Sequence, residues 1–190
     1  GINAEYGESI RMGGQQSFST TFEQDIANLP KHYFTKVELR RLWQRYNNLT
    51  NGKQFLTLRM LEQIPELQLN PLAKRIAELF VDQADKESIS FNSFIKNLSI
   101  FSYKATEQEK LKFLFDVYDR DGDGQISEEE LYSVLKACVG DKIDDAQLQL
   151  LVKGTIADAD KNGEKQLNYE EFKQCVERNS GLAEKITVRF

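Results

Sequence analysis

Residues 119–130 read Asp-Arg-Asp-Gly-Asp-Gly-Gln-Ile-Ser-Glu-Glu-Glu, and the prediction of the fold rests on this segment. Aspartates stand at its first, third and fifth places, a glycine at the sixth and a glutamate at the twelfth. This spacing points several carboxylate oxygens at one centre, which suits a hard cation such as calcium. Gly124 allows the positive φ that a sharp turn needs. The stretch therefore predicts a calcium-binding loop between two helices.

The chemistry of calcium assigns a role to each of these places. Calcium takes about six to eight oxygen ligands, and the EF-hand loop supplies them in this order. The ninth residue, Ser127, is expected to act through a water molecule, and Ile126 to pair with the backbone of a partner loop. The predicted ligands of the third loop are Asp119, Asp121, Asp123, the carbonyl of Gln125, and Glu130 as a bidentate clamp.

The fourth loop has two possible registers. A start at Asp158 places Tyr169 at the clamp position and Lys165 at the β-pairing position. A start at Asp160 matches the third loop from the seventh place onward, but puts Lys165 where a glycine belongs. We favour the second register, in which the site either binds calcium weakly or stays empty at resting calcium. Its ligands are then Asp160, Asn162, Glu164, Gln166 and Glu171.

Two earlier segments repeat the helix–loop–helix spacing without the ligands. Residues 48–59 and 82–93 end on Arg59 and Ser93 where the clamp glutamate should stand. We expect no metal in either loop. The repeat of about 40 residues predicts an all-α fold of four EF-hand units in two paired lobes, since one unit cannot bury its own apolar face. Short β pairing between loops is expected at Phe55–Leu56, Ile89, Ile126 and Leu167.

Capping signals place most of the helix starts. A capping oxygen precedes a carboxylate by three residues at 35–38, 106–109, 127–130 and 168–171, and Asn70-Pro71 offers an N-cap followed by proline. We predict helices at 35–48, 57–63, 71–81, 91–100, 107–118, 128–139, 144–157 and 169–177. The predicted lobes are 34–103, with degenerate units one and two, and 104–180, with units three and four; a C-terminal tail follows at 181–190.

Composition excludes several classes of function. The 190 residues carry a net charge of −5 and 29% charged side chains, which argues against a nucleic-acid partner. Cys138 and Cys175 form no CxxC pair and are expected to be reduced thiols of a cytosolic protein. Apolar runs are too short to span a membrane. With one histidine, His32, and no nucleophile or phosphate-loop motif, the chain is not expected to be an enzyme.

Five segments carry a likeness to known proteins: Ile64-Pro-Glu-Leu67, Asn70-Pro-Leu72, Leu114-Phe-Asp-Val-Tyr-Asp119, Asp145-Ala-Gln-Leu148 and Ala159-Asp-Lys161. Through these segments the chain resembles, from Phe34 to Phe190, the calcineurin-B-like branch of EF-hand proteins. That branch includes the calcineurin regulatory subunit, the calcineurin-B homologous proteins and the calcium- and integrin-binding proteins. The loss of two loops and the ending at 182–190 resemble the latter two groups more, and the branch stays open.

The resemblance implies a calcium-binding regulatory subunit that grips an amphipathic helix of a larger protein. That protein would be a phosphatase catalytic subunit or the cytoplasmic segment of a membrane protein. The alternative is a constitutive structural subunit or calcium buffer. We expect groove-lining side chains among Leu39, Leu42, Trp43, Tyr46, Phe80, Phe94, Phe101, Phe113, Phe115 and Val134.

The amino terminus carries one further motif. Met12-Gly13-Gly14-Gln15-Gln16-Ser17 fits the N-myristoylation pattern, with Gly13 as the acceptor, although so short a match also arises by chance. We expect residues 1–11 to be a leader foreign to the natural protein and 12–33 to be a flexible segment. One acyl chain gives weak, reversible membrane binding. The expected location is therefore the cytoplasm, with membrane association through Gly13.

Overall fold

A computed structural model of the chain describes residues 21–82, 85 and 87–178. Its helices are α1 (Phe22–Ile26), α2 (Lys36–Thr50), α3 (Leu58–Glu62), α4 (Pro65–Gln68), α5 (Ala73–Glu78), α6 (Phe91–Ser99), α7 (Glu107–Tyr118), α8 (Glu128–Val139), α9 (Asp145–Ala159) and α10 (Tyr169–Arg178). A 3₁₀ turn, Gly140–Lys142, follows α8. The pairs α2/α3, α5/α6, α7/α8 and α9/α10 are the four predicted helix–loop–helix units, which confirms the all-α fold.

Short antiparallel strand pairs join the loops, as predicted, although the first strand begins at Leu56 rather than at Phe55. Strand β1 (Leu56–Thr57) pairs with β2 (Ser88–Ile89), and β3 (Gln125–Ile126) pairs with β4 (Leu167–Asn168). Leu56 faces Ile89, and Ile126 faces Leu167. All four of these side chains are at most 1% exposed. Since full burial of a leucine or isoleucine stabilises a fold by about 1.5–3 kcal/mol, each pair anchors its two loops to the core.

Helix starts follow the capping pattern of the sequence. Thr35, Thr106 and Ser127 each accept a hydrogen bond from the backbone amide three residues on. The glutamate at that third place returns a bond to the cap backbone, which completes a capping box. Each box thereby satisfies two backbone amides at the helix start within four residues of chain.

The helix α5 begins later than predicted. Asn70 was expected as its N-cap and Pro71 as its first residue, but the Asn70 side chain instead accepts from the Leu72 amide at 2.9 Å. This bond closes a local turn, a common alternative to helix capping for asparagine. The helix therefore starts at Ala73, and it ends at Glu78 rather than at residue 81.

The helix α1 was not predicted and lies within the segment 12–33. A capping box between Thr21 and Gln24 starts it. Phe22 is buried and meets the Trp43 ring edge-on, with centroids 5.9 Å apart. The Trp43 indole N–H also donates to Asp25 at 2.6 Å. The helix is therefore held by contacts with α2 that the local sequence pattern does not predict.

One continuous cluster of buried apolar side chains includes residues of both lobes. The predicted boundary near residue 103 falls between α6 and α7. Across it, the Phe101 ring packs edge-on against Phe113, with centroids 5.2 Å apart. Phe115 and Tyr118 of α7 pack against Phe172 of α10 at 5.6 and 5.3 Å. The helix α7 therefore ties the N-terminal half to the C-terminal half.

Candidate calcium sites

The third loop brings its three aspartates together. Asp119 caps the end of α7, and Asp121 and Asp123 follow on the loop. One carboxylate oxygen from each residue lies within 4.8 Å of the others. Asp119 is buried, whereas Asp121 and Asp123 are exposed, so the cluster has a solvent-facing side through which a cation can enter. Among the residues that the structure describes, only this loop gathers three carboxylates so closely.

Backbone amides hold these carboxylates in place. The two oxygens of Asp119 accept from the Gly122 amide at 2.8 Å and from the Gly124 amide at 3.0 Å. Gly124 has a φ of +87°, a conformation that strains residues with a Cβ. Asp123 accepts from the Gln125 amide at 2.8 Å. The turn is therefore built around the first carboxylate.

Glu130, the predicted clamp, closes the loop from the start of α8. Its Oε1 accepts from the Arg120 amide at 2.7 Å, and its Oε2 accepts from the Ser127 amide at 2.9 Å and hydroxyl at 2.8 Å. Burial is the largest single influence on the pKa of Glu130 and raises it, but the hydrogen bonds from Ser127, Arg120 and Asp121 together outweigh it. The pKa therefore lies below its ordinary value, and the carboxylate is ionised at neutral pH.

The fourth loop repeats this geometry in the Asp160 register. Asp160 caps α9 and accepts from the Gly163 and Lys165 amides, both at 2.8 Å. Glu171 accepts from the Lys161 amide at 2.9 Å and from the Asn168 amide at 3.1 Å. The Lys165 amide is the main cause that lowers the pKa of Asp160. Each bond has a counterpart in the third loop.

The same backbone is incompatible with the Asp158 register. Asp158 lies inside α9, and Leu167 rather than Lys165 pairs with Ile126. That pairing position is almost fully buried, and a lysine ammonium would be costly there. Lys165 instead takes the turn position with a φ of +60°, one of two positive-φ residues other than glycine in the described chain.

The fourth loop offers fewer charges than the third. Asn162 stands where the third loop has Asp121, and its side-chain amide donates to Glu164 at 3.2 Å. The predicted seventh-place ligands are the backbone carbonyls of Gln125 and Gln166. Gln125 is the first residue of β3, and Gln166 directly precedes β4. The oxygen set of both loops suits calcium, and the third loop fits it better because it holds four carboxylates.

The second loop is held by hydroxyl groups. The Asp82 carboxylate accepts from the Ser90 amide at 2.9 Å, from the Ser90 hydroxyl at 2.9 Å and from the Ser93 hydroxyl. Ser93 stands at the clamp position, so a serine hydroxyl here contacts the first-place carboxylate directly. Sequence reasoning missed this role, although Asp82 followed by serines at the ninth and twelfth places was its visible signal.

An apolar cavity of about 210 Å³ lies in the N-terminal lobe. Its walls come from α2, the α3–α4 turn and the end of α6, and Arg45 and Ser102 are its polar members. Four of the predicted groove residues line it: Leu42, Phe80, Phe94 and Phe101. Leu61, Ile64 and Leu67 were not predicted but line it as well.

The remaining groove candidates lie elsewhere. Val134 lines a second cavity of about 290 Å³ between α5 and α8, and Trp43 packs beside α1. The other four candidates are core residues: Leu39, Tyr46, Phe113 and Phe115. Periodicity alone could not separate these groups, since core and groove positions share the same helix faces.

The predicted lipidation site, Gly13, lies outside the described residues. No helix among those residues is long and apolar enough to span a membrane.

Known proteins share both the loop pattern and most of the length of this chain. Residues 108–177 match the family model described as an EF-hand domain pair. The chain is 40% identical to the calcineurin B subunit of Naegleria gruberi, over 82% of this chain and 88% of that protein. Identity is 39% to the type 1 calcineurin B subunit of Dictyostelium discoideum, over 83% and 87% of the two chains. It is 41% to the type 2 calcineurin B subunit of Homo sapiens, over 76% and 85%. The chain therefore belongs to the calcineurin-B-like family of EF-hand proteins, which are calcium-binding regulatory proteins and not enzymes.

Proposed function

We propose that the third loop is the high-affinity calcium site of this chain and that the fourth loop adds at most one weaker site. The single observation that carries this proposal is the cluster of Asp119, Asp121 and Asp123 oxygens within 4.8 Å of one another. Glu130 lies across the loop and supplies the fourth carboxylate. The fourth loop has the same backbone, but it replaces one carboxylate with Asn162 and strains its turn at Lys165.

The chain uses this calcium to regulate the binding of an amphipathic helix from a larger protein. The apolar cavity beside Leu42, Phe80 and Phe94 supports this, because it offers a recess for the apolar anchors of such a helix. The relatives are named as B subunits of calcineurin, and such a name describes one part of a larger assembly. The larger protein is a phosphatase catalytic subunit or the cytoplasmic segment of a membrane protein.

A constitutive structural subunit or calcium buffer is the second candidate. The bonds from Ser90 and Ser93 to Asp82 favour it, because they hold the second loop without a cation. In that case the N-terminal lobe presents its cavity at every calcium concentration.

Membrane association through an acylated Gly13 is a separate proposal, supported by the motif at 12–17. Co-expression of a chain that starts at Met12 with an N-myristoyltransferase tests it by intact mass. A mass without the acyl addition contradicts it.

Calorimetric titration of the full chain with calcium tests the metal proposal. We expect one tight equivalent and at most one weaker one; three or more equivalents, or none, would refute it. The variant Glu130→Gln should lose the tight equivalent, whereas Glu128→Gln should keep it. Glu128 is the matched control because it is exposed in the same first turn of α8.

Binding of a synthetic 20-residue amphipathic helix separates the two candidate functions. The helix carries leucines at i, i+3, i+4 and i+7 and an environment-sensitive dye. A regulatory protein binds it more tightly in calcium than in chelator, and Glu130→Gln abolishes the difference. Equal binding under both conditions, by a chain that takes up calcium, decides for the structural role or the buffer.

A further inference from the structure

The side chain of Arg75 connects the N-terminal half to the end of α7. From α5, its Nε donates to the Val117 carbonyl at 3.0 Å, and its Nη2 donates to the Asp119 carbonyl at 2.7 Å and to the Asp116 carbonyl. Its Nη1 forms an ion pair with Glu78 at 3.3 Å. The side chain is only 17% exposed.

These contacts satisfy groups that the helix cannot satisfy itself. The last carbonyls of α7 have no intrahelical partner, and the negative end of the helix dipole attracts a cation. The planar guanidinium reaches three carbonyls at once, which a lysine ammonium on a single point cannot do in the same geometry. Arg75 thereby fixes the direction in which the chain leaves α7.

That direction matters because the third loop starts there. Asp119 is the C-cap of α7 and the first residue of the aspartate cluster. Arg75 bonds its carbonyl, while the Gly122 and Gly124 amides bond its carboxylate. A shift of Asp119 on calcium binding would therefore displace the Arg75 side chain, and a shift of α5 would displace Asp119.

On the other side, α5 is part of the N-terminal core. Ile76 and Ala77 are 2% and 0% exposed, and α5 packs against α3. Leu61 of α3 lines the apolar cavity. The contacts that begin at the third loop thus continue through Arg75, α5 and α3 to the proposed helix-binding recess.

We propose that Arg75 is a positioning residue that couples calcium at the third loop to the N-terminal half of the protein. This inference rests on the proposed function, since it requires the third loop to bind calcium. The coupling is reciprocal: if calcium orders α5 through Arg75, then α5 raises calcium affinity through Arg75.

A charge effect alone predicts the opposite sign. A guanidinium near the loop repels a divalent cation, so its removal would raise calcium affinity if repulsion were its whole contribution. If Arg75 positions Asp119, its removal lowers the affinity. The sign of the change therefore separates the two explanations.

The test uses the full chain and the variants Arg75→Ala and Arg75→Lys, with Lys74→Ala as the control. Lys74 is exposed on the same short helix, so its replacement removes an equal charge and leaves the hydrogen bonds from Arg75 to the end of α7 in place. Calcium affinity is measured by calorimetry, and amide hydrogen exchange is followed with and without calcium.

We expect Arg75→Ala to lower calcium affinity about fivefold or more, which is the lower end of typical coupling between sites. Calcium should slow exchange at 73–78 in the unaltered chain and in Lys74→Ala. In Arg75→Ala this protection should vanish at 73–78 and persist at 119–130. Arg75→Lys should resemble Arg75→Ala, because lysine keeps the charge but lacks the planar guanidinium that donates to three carbonyls at once.

The outcomes distinguish this inference from the proposed function. If the unaltered chain binds no calcium, the proposed function fails. If it binds calcium without protecting 73–78, or if Arg75→Ala keeps both affinity and protection, the coupling is refuted while the calcium site stands. Should Arg75→Ala fail to fold, Arg75→Lys decides. If this variant keeps both the calcium affinity and the protection at 73–78, the role of the guanidinium is refuted.

Discussion

Lys165 stands at the turn of the fourth loop with a φ of +60°, where the third loop has Gly124 at +87°. A left-handed conformation costs a residue with a Cβ about 1–2 kcal/mol. Glycine would release this strain. Because glycine also loses more conformational entropy when the loop becomes ordered, about 0.5–1 kcal/mol of this gain is offset. The difference between these two ranges is about 0–1.5 kcal/mol, and its middle value of about 0.75 kcal/mol corresponds to a rise of about three- to fourfold in calcium affinity, to the extent that binding orders the loop. Loss of the lysine charge acts in the same direction.

Calorimetry on Lys165→Gly, in a background where Glu130→Gln silences the third loop, measures this change directly. Lys165→Ala is the matched control, because it removes the same charge but keeps a Cβ at positive φ. The glycine variant should bind more tightly than the alanine variant, and the alanine variant more tightly than the parent. A fall in affinity for Lys165→Gly, or equal affinities for both variants, would refute the strain argument.

Three further predictions address other parts of the molecule. Glu130→Gln should weaken calcium binding at the third loop more than tenfold, because it removes the clamp charge, with an unchanged far-ultraviolet circular dichroism spectrum; unaltered affinity would contradict the ligand assignment. Asp82→Ala should lower the free energy of unfolding in chelator by about 1–3 kcal/mol, because it leaves the Ser90 amide and hydroxyl without their acceptor; an unchanged urea midpoint would show that these bonds contribute nothing. The Tyr33 hydroxyl is the main cause that lowers the pKa of Glu109 to about 2, so the stabilising effect of this contact is present above the ordinary value of 4.5 and is lost as the pH falls through 2. Tyr33→Phe should move the Glu109 titration, followed by carboxyl-carbon NMR, back toward 4.5, and a titration that stays in place would contradict this cause.

The third loop and most helix starts could be predicted from the sequence because their determinants are local. The ligands from Asp119 to Glu130 lie within twelve residues, and a capping box such as that of Thr106 and Glu109 spans four. Backbone amides and side chains so close in the chain meet in nearly any context that allows a helix. The start of α5 is the exception, because Asn70 has a second local partner in the Leu72 amide.

The register of the fourth loop needed more than local spacing. Two starts, Asp158 and Asp160, each satisfied part of the pattern, and the choice depends on which residue pairs with Ile126. That partner belongs to another loop about 40 residues away. Only the packed lobe shows that the buried position takes Leu167 and that Lys165 is left to make the turn.

The sequence is sufficient to identify this protein as an EF-hand chain and to predict one complete set of calcium ligands in the third loop, since those residues lie within twelve positions of one another. Tertiary structure alone decided what surrounds that loop. Arg75 reaches carbonyls 41 to 44 residues away, and Tyr33 reaches Glu109 across 76 residues. No spacing rule links residues so distant, because only the packing of α7 against the N-terminal half brings them within hydrogen-bonding distance.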